Sequence, residues 1–345
     1  MVREHNEDEL MTTQHSMPSH RDAWSGHVPD VLSDLADGVY DFDLADRGHP
    51  YQAGVPQAIA AALRHSGVDV SFSDFTAMSG WSTGFAYQYG SIEPGFMAIR
   101  AGEGRGKWQV FRMVDWFGIG YDACPVADRD RLWDFVRSHI DAGVPLIAEH
   151  LDGGLIVGYR HQEDKREVWF QGDPGFGWTD IDALHPFEVV ALVKQGEVLP
   201  PSELRSRAVD RMVHYAELPA EGEIENGIAA LEAYALDVAD PGKHFNDCRE
   251  YFCWATFNRL DTRSCASAWL AKVAETADGL SHAGELYEQA ADCYRQYRLV
   301  VGGGLDDPSI DPRAPATVAE ALTHLERGLS AERAAWAKLT GYLDR

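Results

Sequence analysis

The change of pattern at Leu199-Pro-Pro201 constrains the fold more than any other feature of the sequence. Before it, short apolar runs alternate with turn signals. After it, nearly every stretch repeats apolar residues at helical spacing. Strands gathered ahead of helices predict an α+β chain rather than an alternating α/β one. At roughly 100–200 residues per domain, 345 residues accommodate two domains. The expected organisation is a mobile tail over 1–30, an α+β domain over 31–198 and an all-helical domain over 199–345.

Local signals fill in this outline. Residues 1 to about 30 are polar, His-rich and aperiodic. Pro56 opens an apolar helix that ends near Gly67. Asp128 reads as the cap of a helix over Arg129–Ala142, with Leu132, Phe135, Val136 and Ile140 on one face and Gly143 as its stop. Strands are expected at Phe96–Arg100, Gln109–Val114, Pro145–Leu151, Leu155–Arg160, Glu167–Gln171 and Val189–Val193. Helices are expected over 202–217, 225–239, 246–278, 281–300 and 316–343, the last opened by a Thr317-x-x-Glu320 capping box.

Charge narrows the partners. Thirty Lys and Arg against 55 Asp and Glu leave a formal net charge of −25, a field that repels phosphate backbones and anionic lipid surfaces. Neither nucleic acid nor membrane is an expected partner; a small molecule is. No run of about 18 uncharged apolar residues occurs, and Met1–Leu10 lacks the apolar core of a secretory signal, so the expected location is cytoplasmic. The five cysteines, Cys124, Cys248, Cys253, Cys265 and Cys293, contain no C-x-x-C pair and read as reduced thiols. The C-terminal helices 281–300 and 316–343 offer a surface for a homodimer.

Metal and phosphate motifs fail on spacing. Gly102-Glu-Gly-Arg-Gly-Lys107 lacks the spacer and the Ser or Thr of a phosphate loop. Asp41-Phe-Asp43-Leu-Ala-Asp46 lacks the ligand register of a calcium loop. No H-E-x-x-H occurs, and neither zincin nor nucleophile-elbow chemistry is expected. No metal and no cofactor is therefore called for. The stretch Phe72–Gly90 sets Trp81, Phe85, Tyr87 and Tyr89 among Gly and Ser residues, a composition that suits either a ligand wall or a core beneath a loop.

The order of several segments resembles the family of butirosin biosynthesis protein H. These segments are Pro56–Arg64, His65-Ser-Gly-Val-Asp-Val-Ser-Phe-Ser-Asp-Phe75, Met78-Ser-Gly-Trp81, Ala142-Gly-Val-Pro-Leu-Ile147, Leu155-Ile-Val-Gly-Tyr159 and Gly172-Asp-Pro174. Gly227-Ile-Ala-Ala-Leu-Glu-Ala-Tyr234 and Arg263-Ser-Cys-Ala-Ser-Ala-Trp-Leu270 are similar to that family's helical part. The resemblance implies a papain-like, C39-peptidase-like domain followed by a helical domain. It also implies a Cys, His and Asp site, which this chain does not complete. The Cys position falls at or beside Gly54, and no cysteine precedes Cys124. The His position falls on Asp152 or Gly153, and Asp173 alone matches. Gln52 is the candidate oxyanion donor, at a spacing that departs from the family's.

What remains is acid–base chemistry by carboxylates. Glu149 and His150 occupy adjacent strand positions, so one of them faces inward. Two neighbouring carboxylates hold a proton between them more tightly than either alone, which makes an acid and a base without Cys or His. The expected catalytic residues are Glu149, Asp173 and Asp152; the expected substrate contacts are Trp81, Phe85, Tyr87, Tyr89, Gln52 and His150. The expected function is natural-product biosynthesis on a small amine-bearing or aromatic substrate, with Pictet–Spengler-type condensation and cyclisation as the reaction. The alternative is a catalytically inactive relative that binds a metabolite.

Overall fold

The computed structural model describes residues 26–36, 54–87, 113–125, 127–148, 154–162, 164–172, 175–183, 188–220, 222–223, 225–240, 262–277, 279–301 and 309–344. Its architecture is α+β: an antiparallel sheet in the first part and a run of helices after Pro200. In chain order the elements are α1 (Ser33–Ala36), α2 (Gly54–His65), α3 (Phe72–Met78), β1 (Ala86–Tyr87), β2 (Phe117–Pro125) and α4 (Arg129–Asp141). There follow β3 (Leu146–Ala148), β4 (Gly154–Gln162), β5 (Lys165–Gly172), β6 (Gly175–Asp180) and β7 (Glu188–Val198). The helical part holds α5 (Pro201–Ala216), the short strand β8 (Glu225–Asn226), α6 (Gly227–Ala239), α7 (Arg263–Ala274), α8 (Ser281–Val300) and α9 (Pro315–Leu343). Among the described residues no helix is long and apolar enough to cross a membrane.

Six strands form one sheet in the order β2-β7-β3-β4-β5-β6, every neighbouring pair antiparallel. All three residues of β3 are fully buried, so both faces of the sheet are covered at its centre. Helix α2 packs on β3 and β4, and its run Ala58–Leu63 is buried residue by residue, as expected of a helix apolar all round. Helix α4 packs against β2, β3 and β4. Its Asp128 side chain accepts from the Arg131 N–H at 3.1 Å, and Gly143 stops it with φ of 75°.

The change of pattern at 199 is not a break in packing. One hydrophobic core runs from the sheet through Ile59, Phe75, Met78 and Trp81 into Met212 of α5, Trp269 of α7, Tyr287 of α8 and Leu339 of α9. The segment 79–87 carries much of this continuity. Arg211 Nε donates to the Ser79 carbonyl at 3.0 Å, and Thr83 Oγ1 donates to the Met212 carbonyl at 3.0 Å. Gly80, at φ of 74°, lies directly under the Tyr215 ring, leaving no room for a β carbon. Strand β1 then pairs with β8, Ala86 opposite Asn226. A second core gathers Phe85 and Tyr87 with Leu231, Tyr234, Tyr294, Tyr297 and Leu325.

Several elements differ from the sequence expectation. Strands β2 and β6 arise where none was expected, and so does α3, with Ser71 and Asp74 forming a reciprocal capping box. Helix α9 starts at Pro315 with Ala314 at its cap, which puts Thr317 inside the helix rather than at its start. The strand expected at 96–100 and residues 109–112 of the one expected at 109–114 lie outside the described residues, while Met113 and Val114 open a short 3-10 helix, Met113–Trp116, instead of ending a strand.

Candidate functional site

The sheet brings several strand ends to one place. Ala148, the last residue of β3, pairs with Gly154, the first of β4, and with Val189 near the start of β7. Gly154 in turn pairs with Gly172, the last of β5, and Gly172 with Gly175, the first of β6. Residues 149–153 and 173–174 therefore connect strand ends that stand side by side.

Helix α2 packs on two of these strands, β3 and β4. Its last residue, His65, sets its ring Nε2 2.9 Å from the Gly143 carbonyl, just ahead of the start of β3. A 12-residue helix is about 18 Å long. The N–H groups of a helix's first turn have no partners within the helix and carry partial positive charge, which favours anionic groups nearby.

The sequence-expected residues divide into two sets. Glu149, His150, Asp152, Asp173, Gln52 and Tyr89 lie outside the described residues. Trp81, Phe85 and Tyr87 are described and buried, at 4%, 2% and 4% exposure. They are not brought together on one wall: Trp81 belongs to the first core, Phe85 and Tyr87 to the second. The Phe85 and Tyr87 rings meet Tyr234 edge-on at 6.0 and 5.4 Å, and the Tyr87 hydroxyl donates to Asp237.

Sequence reasoning set nucleophile-elbow chemistry aside, yet Gly80-Trp81-Ser82-Thr83-Gly84 has the G-x-S-x-G spelling. Its context is the reverse of an elbow, since helix α3 precedes it and strand β1 follows. Ser82 has no exposed surface, and its Oγ makes no hydrogen bond among the described residues. Without a base or an opening to solvent, this serine is not arranged for nucleophilic attack.

Other polar groups near the site escaped the sequence reading. Gln171, at 1% exposure, extends its Nε2 to the Leu35 carbonyl at 2.5 Å, one residue before the end of β5. The signal available was a lone amide following the apolar run Val168-Trp169-Phe170. Deeper in the molecule, Arg263 and Glu332 form a buried ion pair, and burial together with the Glu332 charge raises the Tyr287 and Tyr294 phenols. Cys124, Cys265 and Cys293 are buried, and burial raises the Cys293 thiol. Among the described residues no group of three or more His, Cys, Asp or Glu side chains is arranged to hold a metal ion.

No protein-family profile matches the chain, and no curated protein matches it.

Proposed function

We propose that this chain is a natural-product biosynthetic enzyme on a papain-like scaffold whose Cys and His have been replaced by carboxylate acid–base chemistry. One observation carries the reading. The strand ends flanking 149–153 and 173–174 adjoin in the sheet, and α2 packs on β3 and β4. In a papain-like fold that end is where a helix start, a strand start and a neighbouring strand end supply the reacting groups.

Glu149 and Asp173 are the proposed acid and base, with Asp152 as a third carboxylate. In a condensation, the acid protonates the carbinolamine oxygen formed from an amine and a carbonyl, and water leaves to give an iminium. An aromatic carbon of the substrate attacks the iminium carbon, and the base takes the ring proton so that aromaticity returns. The balance is one water lost per pair of reactants. The net charge of −25 favours an ammonium-bearing substrate on approach. Because Trp81, Phe85 and Tyr87 fill cores, the reading rests on the carboxylates and not on an aromatic sandwich.

The absence of any cysteine before Cys124 favours a second reading, a relative that binds a metabolite without turning it over. Mass-spectrometric profiling of a producing-strain extract, with and without the purified protein, separates the two. A new ion equal to two consumed ions less water supports the enzyme. A ligand retained at unchanged mass supports the binder, and an unchanged profile with nothing retained removes both.

A further inference from the structure

We draw no further inference here: the strongest candidate, the buried side-chain cluster where the Arg263–Glu332 ion pair meets the turn carrying the Ser82 hydroxyl, lies closed among the described residues, with Arg263, Glu332 and Ser82 at 0%, 3% and 0% exposure, and nothing in the structure shows what ligand would reach it.

Discussion

Arg263 and Glu332 meet with no access to water: Nε lies 2.8 Å from Oε1 and Nη2 lies 3.2 Å from Oε2. The guanidinium also donates through Nη1 to the Gly84 carbonyl at 3.2 Å, so one buried charge joins α7, α9 and the turn that leads into β1. Burial works against the arginine's charge. The attraction and hydrogen bonds of Glu332 more than offset it and raise the arginine's pKa.

Removing one partner leaves the other charge buried and alone. Glu332→Gln and Arg263→Met should each destabilise the fold by about 3–5 kcal/mol, read as a lower urea midpoint. The double variant Arg263→Met with Glu332→Leu should recover most of that loss, because two apolar side chains leave no stranded charge. Additive losses in the double variant would show that the pair acts by packing alone.

The same pocket sets an alkaline limit. Burial, with Glu332 adding to it, raises the Tyr287 and Tyr294 phenols above the usual tyrosine value near 10. A group whose folded pKa is raised contributes stability that is complete below its unfolded pKa and is lost as pH climbs toward the folded one. Denaturant midpoints should therefore hold steady to about pH 9.5 and then fall, by about 1.4 kcal/mol per pH unit for each phenol. Tyr287→Phe with Tyr294→Phe should flatten that limb. An unchanged slope would move its origin elsewhere, with Cys293 and Tyr159, raised in the same sense, as the next groups to test.

Gly80 is a third point where the two parts of the chain interlock. With φ of 74° and the Tyr215 ring over its α carbon, it has neither the conformation nor the space for a side chain. Gly80→Ala should cost about 2–4 kcal/mol, combining left-handed backbone strain with overpacking. Thermal unfolding followed by circular dichroism would read it, and a cost under about 0.5 kcal/mol would mean that the turn rearranges.

How much of this was legible follows from how local each signal is. Helix α4 could be read because Asp128 and Gly143 act within a turn of its ends. At α9 two start signals competed, and Pro315 at the first helical position prevailed over the Thr317 capping box. Strand β2 was hidden because Gly118 and Gly120 interrupt its apolar alternation, and it bulges between Phe117 and Ile119. Strand β6 was hidden by Gly175 and Gly177. The joining of the two parts through Arg263, Arg211 and Thr83 was not legible at all. Those bonds span more than 120 residues and leave no periodic trace. For the site, Gly172-Asp-Pro174 marked the end of β5 and Gly143-Val-Pro145 only the start of β3; pairing across three strands is what sets the end of β3 and the start of β4 beside the end of β5.

That pairing is also why the candidate carboxylates can be tested without unfolding the chain. Ala148, Gly154 and Gly172 are fixed by their ladder partners, whereas Glu149 and Asp173 belong to the connections between them. Glu149→Gln and Asp173→Asn keep volume and hydrogen-bonding capacity while removing the ability to exchange a proton at working pH. Stability should stay within about 0.5 kcal/mol of the parent, and turnover of the ion pair found by profiling should fall about 100-fold or more. The pH dependence should separate them: the variant lacking the base should lose the acidic limb of the kcat/KM profile, and the one lacking the acid should lose the alkaline limb. A rise in KM at constant kcat in both variants would assign these carboxylates to ammonium binding instead. Parental kcat and KM in both would remove them from the mechanism.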